Sequence, residues 1–166
     1  MPAGIEPGLQ ELSYFTPKQA AYANGTHLAE VEVDVETGYA KVLRYWSGHD
    51  CGKMINPMTV EGQVLGGVAH GLGNALFEWM RYDENAQPVT VNYGEYLLPL
   101  ASDMPDVQQV HQEIPTPQNT HGVKGAGEGG TIPAIAAIIG AIENALEPFS
   151  VRISEAPLTP PRLLEL

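Results

Sequence analysis

The chain has 166 residues, with 20 acidic against 8 basic side chains and a formal net charge of −12 at pH 7. That balance excludes a basic nucleic-acid-binding face and argues against docking on an anionic membrane surface. Apolar residues make up 43%, which excludes a disordered acidic tail, yet only 17% are charged and 32 residues are glycine or proline, so constrained backbone and scarce solvated surface point to burial against a ligand or a partner.

Residues 1–26 carry Pro2, Gly4, Pro7, Gly8, Pro17 and Gly25 without a sustained period. They read as an irregular arm, followed by a single unit over 27–166. The opening MPAGIEPGLQEL has neither the basic start nor the apolar core of a secretory signal, which leads to the expectation of a cytoplasmic protein. From Leu28 to Glu36, Ala29, Val31, Val33 and Val35 alternate with Glu30, Glu32, Asp34 and Glu36. Period 2 predicts a half-exposed strand. Glu36-Thr37-Gly38 supplies a turn, and Tyr39–Ser47 is a second β-rich run, so an antiparallel hairpin is expected.

Residues 48–57 read as a loop holding His49, Asp50, Cys51, Gly52 and Asn56. As the sole cysteine, Cys51 can form no internal disulfide, and there is no cysteine cluster for an iron–sulfur or zinc site. A buried, inert thiol is expected. Residues 59–80 predict a helix with Thr59 as N-cap. It contains Gly62, Gly66, Gly67, Gly71 and Gly73, although each interior glycine costs about 1 kcal/mol relative to alanine. Gly62/Gly66 and Gly67/Gly71 are four apart and line bare stripes. Such stripes admit either a second backbone or a cofactor.

Short strands are expected at Val89–Tyr93 and Val107–Ile114. The densest motif is Gly122–Thr131, GVKGAGEGGT, leading into an apolar helix over Ile132–Leu146 with Pro133 in its first turn. That helix is apolar nearly all round and should be buried. The longest apolar stretch, 131–142, falls short of the ~20 residues that span a bilayer. A strand, a proline-rich turn and one helical turn complete the chain.

The run G-A-G-E-G-G at 125–130 matches the dinucleotide fingerprint in form. Its context does not fit: no buried strand precedes it, and no acidic residue ends a second strand about 20 residues on. Gly130-Thr131 lacks the lysine of a phosphate-binding P-loop. The loop does offer backbone N–H groups at a helix start, suited to anion contact. Within it Glu128 stands between Gly127 and Gly129, accessible to an incoming group and suited to act as a general base. The competing reading is a carboxylate that caps the helix through its dipole. The five histidines show no metal-binding spacing. Gln63 borders a bare stripe and could offer a buried ligand both a donor and an acceptor, or be a surface glutamine.

Taken together, these stretches resemble the C-terminal part of the molybdenum-binding subunit of the xanthine dehydrogenase/aldehyde oxidase family of molybdenum hydroxylases. The resemblance runs through HLAEVEVDVETG (27–38), DCGKMINPMTVEGQVLGGVAHGLG (50–73), ALFE (75–78), PTPQNTHGVKGAGEGG (115–130) and PLTPPR (157–162). It implies an α+β fold of mixed and antiparallel sheets with two main helices. It also implies hydroxylation of an aldehyde or N-heterocycle with oxygen taken from water. By position, the base is Glu128, and Lys124, Gly125, Ala126 and Gly127 run along the cofactor. Gln63 falls on the cofactor-contacting glutamine, and Ala126 stands where the family often has valine.

The cofactor implied is molybdopterin with molybdenum, in bacterial members often the cytosine dinucleotide. FAD and [2Fe–2S] clusters are expected on partner chains. So is a further chain supplying the remainder of the molybdenum-binding subunit, which is several times longer. The chain is expected to be inactive alone. The alternatives are a non-catalytic structural subunit that stabilises a partner, and a free-standing nucleotide-binding module. A retained Glu128 argues against the first, and the failed fingerprint context against the second.

Overall fold

The computed structural model describes residues 8–166. Part of the expected arm, residues 1–7, lies outside that range. Strand β1 (Asn24–Asp34) turns into β2 (Tyr39–Asp50) as an antiparallel hairpin. The turn closes because the Asp34 carboxylate accepts from the backbone N–H groups of Glu36 (2.9 Å) and Thr37 (3.3 Å). Gly38 takes φ +71°, and its N–H donates to the Asp34 carbonyl. A bulge at Glu30/Val31 shifts the register.

β2 runs three residues beyond the expected boundary. Gly48, His49 and Asp50 are strand, pinned between Thr26, Gly25 and Asn24 on one side and, for the first two, Val110 and His111 on the other. The second partner is β3 (Asp106–His111), parallel to β2, giving a mixed sheet in the order β1-β2-β3. No strand forms at 89–93. There the Val89 N–H donates to the Arg81 carbonyl (3.0 Å) and the Val91 N–H to the Glu95 carboxylate (3.1 Å), after a turn in which Tyr82 bridges Pro88 and Asp83 accepts from the N–H groups of Asn85 and Gln87.

Helix α1 spans Pro57–Leu76 and starts earlier than expected, because Asn56 accepts from the Thr59 N–H (3.3 Å) and Pro57 occupies the first turn. It ends where the Gly73 carbonyl accepts from both Phe77 and Glu78. The Gly67/Gly71 stripe is explained by backbone approach. A Cβ on Gly67 would meet Gly130 and Thr131 at 2.8 Å, and one on Gly71 would overlap Ala134. Gly62 and Gly66 face open space.

Helix α2 (Ile132–Ala145) buries one stripe, Ala134, Ile138 and Ile142, and leaves Ile132 72% exposed. The all-round burial expected of it is therefore not supplied by this chain. The core combines that stripe with Val68 and Leu72 of α1, Val42 and Tyr45 of β2, and Leu158. A short 3-10 turn (Glu147–Phe149) and helix α3 (Pro160–Leu164) complete the fold. Among the described residues no helix is long and apolar enough to cross a membrane.

A polar chain crosses the inner face of the hairpin. One ring nitrogen of His27 meets the Tyr45 hydroxyl (2.7 Å) and the other the Ser47 hydroxyl (2.9 Å), all three side chains being buried. Burial, with repulsion from His49, lowers the His27 pKa from 6.5 to about 4. An unfolded chain then takes up a proton below 6.5 that the folded chain refuses. Stability is full above about pH 6.5 and falls as pH drops toward 4. His27→Gln, which cannot titrate, is expected to flatten that slope. Thermal denaturation across this window should show the wild type losing up to roughly 3 kcal/mol more than the variant.

Candidate cofactor and base site

The glycine-rich loop is stitched to the segment that follows β2. The Lys124 N–H donates to the Cys51 carbonyl (2.8 Å), and the Lys53 N–H to the Gly122 carbonyl (3.0 Å). Asn119 clasps Val123, its side-chain amide donating to the carbonyl (2.8 Å) and its oxygen accepting from the N–H (3.1 Å). Both Gly52 and Gly122 adopt φ +69°, and a Cβ at Gly52 would strike the Gly122 carbonyl, so the crossing requires glycine.

An ion pair anchors the loop. The Lys124 ammonium lies 2.7 Å from Asp50 Oδ2, with the two side chains 10% and 7% exposed. Asp50 Oδ1 also accepts from the N–H groups of Gly52 (2.8 Å) and Ile114 (3.2 Å). Burial alone would push this carboxyl up, but the Lys124 bond and the two backbone donors outweigh it and hold the pKa below the ordinary 3.8. The Lys124 charge is thus committed inside the chain. What this stretch presents outward is backbone.

Beyond the anchor, Gly125 and Gly127 are exposed, and an added Cβ at either would meet nothing within 4 Å. Gln63, exposed on α1, donates from its side-chain amide to the Gly127 carbonyl (2.9 Å). Helix and loop are thereby tied together. Gly130 packs directly on the backbone of Val64.

Glu128 begins α2 through its main chain. Its carbonyl accepts from Thr131 (3.0 Å) and Ile132 (3.2 Å), while Thr131 makes no side-chain cap. No described contact assigns its exposed carboxylate to capping. The residue lines an open cavity of about 510 Å³ with Tyr22, Gly25, Gly127, Ile132 and Pro133. Lys124, Gly125, Ala126, Gly127 and Glu128 therefore fall on one continuous loop, and Gln63 reaches it from α1.

Cys51 is buried, and that burial pushes its thiol pKa up, as expected of an inert thiol. Among the described residues no group of three His, Cys, Asp or Glu side chains could hold a metal ion. Sequence reasoning gave no role to Asp50, although it stands in a stretch that carries the resemblance. It also gave none to His49, which the structure places beneath the loop.

Residues 3–105 match the molybdopterin cofactor-binding domain. The chain belongs to that family, within the molybdenum hydroxylases. It is 40% identical over 163 residues to the nicotine 6-hydroxylase large subunit of Paenarthrobacter nicotinovorans, covering 98% of this chain and 20% of that protein. It is 33% identical over 144 residues to the carbon monoxide dehydrogenase large chain of Afipia carboxidovorans, covering 87% and 18%.

Among solved structures, quinoline 2-oxidoreductase from Pseudomonas putida 86 superposes with a TM-score of 0.84 at 43% identity, over 86% of this chain and 18% of that one. A Cu,Mo-CO dehydrogenase superposes at 0.90 and 30% identity, over 99% and 21%. The chain thus spans about a fifth of the length of the relatives it matches. The expected family and the expected α+β class, with a mixed sheet and two main helices, are both borne out. The family domain match ends before the glycine loop, whereas the likeness to the nicotine hydroxylase subunit covers nearly all of the chain and so reaches it.

Proposed function

We propose that this chain forms one wall of a molybdopterin pocket in a hydroxylase acting on an N-heterocycle or aldehyde, with Glu128 as the catalytic base. The observation that carries this reading is the placement of a solvent-accessible carboxylate on a tethered glycine loop over an open cavity. The residues present fit the cofactor. Uncovered backbone at Gly125 and Gly127, and at Gly62 and Gly66 across the Gln63 tether, leaves room for a flat ring system to lie against main chain. Main-chain N–H groups along 125–130 suit its polar edges.

When bound, the cofactor would supply the redox chemistry that moves two electrons off the substrate. The chain's own residues do the rest. Glu128 accepts a proton at a carboxylate oxygen from the group that attacks the substrate. Gln63 and the Asp50–Lys124 pair hold the loop so that this oxygen stays in place. Large-chain relatives include a 6-hydroxypseudooxynicotine dehydrogenase complex subunit gamma, which supports assembly with further subunits. In this reading those are the remainder of the molybdenum-binding chain and partners carrying [2Fe–2S] and FAD. The cofactor is taken as the cytosine dinucleotide form, the site of action as the cytoplasm, and the chain alone as inactive.

Isolation from the native host is expected to give a complex containing molybdenum and partner polypeptides. A monodisperse 17.8 kDa species with neither would overturn the proposal in favour of a structural remnant.

A further inference from the structure

His49 sits near the end of β2, in register with Gly25 of β1 on one side and His111 of β3 on the other. Its side chain is only 3% exposed. Neither of its ring nitrogens has a hydrogen-bond partner, and the same is true of both ring nitrogens of His111. The two rings meet edge to face with centroids 6.0 Å apart. A buried polar group without a partner costs about 1–3 kcal/mol, so four such atoms in one place call for an explanation. Two imidazoles alone make an incomplete ligand set, and no third metal-binding side chain joins them among the described residues.

What the His49 ring does make is a tight steric contact on its other side. A Cβ added to Gly129 would overlap His49 Nε2 and lie 2.8 Å from Cδ2 and 3.2 Å from Cε1. The ring is therefore pressed against the main chain of the residue that follows Glu128. It also lies 3.8 Å from the Cβ position of Gly25, which is itself 3.9 Å from the Gly129 carbonyl. His49 fills the wedge between β1 and the base loop and lines one of two neighbouring cavities that share Asn24 and Gly25. One holds Glu128 and Gly129, the other His111 and Gln112. A charged ring would be poorly tolerated there. Burial and the neighbouring His111 lower its pKa, against a smaller upward pull from Asp50.

We propose that His49, backed by His111, is the positioning residue that fixes the height of the Glu128 loop. The ring acts through the volume it fills rather than through a directional bond, and Gly129 is glycine because that volume is taken. This inference rests on the reading of Glu128 as base, but the contact it invokes can be tested without catalysis.

The test is a size-exchange cycle in the assembly in which the chain purifies, using Gly129→Ala, His49→Ala and the double variant. His49→Phe, which keeps a ring but no nitrogens, is the conservative control. Hydrogen exchange of the amides at 126–130 reads the loop directly, and kcat and KM read the chemistry. Each single variant is expected to speed exchange at those amides by about tenfold or more and to lower kcat with KM little changed. Exchange in the core strands should stay unaltered. The double variant should recover most of the loss, a coupling of about tenfold as for residues in contact, and His49→Phe should behave as wild type.

Additive losses in the double variant, faster exchange spread across the whole fold, or failure of His49→Phe would overturn the proposal. A coupled exchange cycle in an enzyme that tolerates Glu128→Gln would instead retain the contact and remove the base.

Discussion

Glu128→Gln in the assembled complex is expected to lower kcat by about 10²–10⁴-fold, the contribution typical of a positioned general base. The substitution keeps the size and hydrogen-bonding capacity of the side chain but cannot take up the proton. The local fold should survive it. Glu128 starts α2 through its carbonyl, which accepts from Thr131 and Ile132, and that group is untouched. Neither the Gln63 bond to Gly127 nor the Lys124 pair with Asp50 involves the carboxylate. Molybdenum content and thermal stability should therefore match wild type while turnover collapses. A loss below tenfold with full cofactor occupancy would show that the base lies elsewhere. A loss accompanied by an empty pocket would show that Glu128 serves retention rather than proton transfer.

The parts of this fold that the sequence made legible are those written in local patterns. The β1–β2 hairpin was readable because Ala29, Val31 and Val33 alternate with acids and Gly38 follows Asp34 at turn spacing. The loop around Glu128 was readable because five glycines in nine residues, 122–130, are rare in any other setting.

What escaped is set by pairing across long separations. Nothing local announces that β3, more than fifty residues after β2, lies parallel to it and extends it through His49. The same crossing creates the His49–His111 pair, which neither residue's neighbours foretell. Lys124 was readable as a member of the cofactor stretch, but its commitment to Asp50 spans 74 positions. The start of α1 was misplaced because Thr59 and Asn56 are both competent caps, and Pro57 decides in favour of Asn56. The exposed flank of α2 shows the limit of the hydrophobic argument. An apolar helix predicts burial all round, yet within this chain only Ala134, Ile138 and Ile142 of α2 are buried.

Removing the anchor should have the larger structural effect. Asp50→Ala is expected to destabilise the folded chain by about 3–5 kcal/mol at pH 7, because it strands a buried ammonium without its partner. It also deprives the N–H groups of Gly52 and Ile114 of their acceptor, so the loop crossing and the end of β2 loosen together. Exposures of 10% and 7% for the two side chains set the pair apart from the exposed surface pairs of this chain. The double variant Asp50→Ala/Lys124→Met removes the stranded charge and should recover part of the loss.

The acid dependence has a definite sign. Asp50 is held below its ordinary 3.8, so its contribution is complete above that value and is lost only as pH falls through the lower folded pKa. The His27 effect, by contrast, begins near pH 6.5 and runs down to about 4. Equilibrium denaturation should therefore show the loss below pH 3.8 reduced in Asp50→Ala, the remainder coming from Glu30, Asp34, Glu113 and Glu143, whose carboxyls are also held low, while the loss between pH 6.5 and 4 is kept. A loss of less than about 1 kcal/mol at pH 7, the range of exposed pairs, would mean that the pair is screened by solvent and does not anchor the loop.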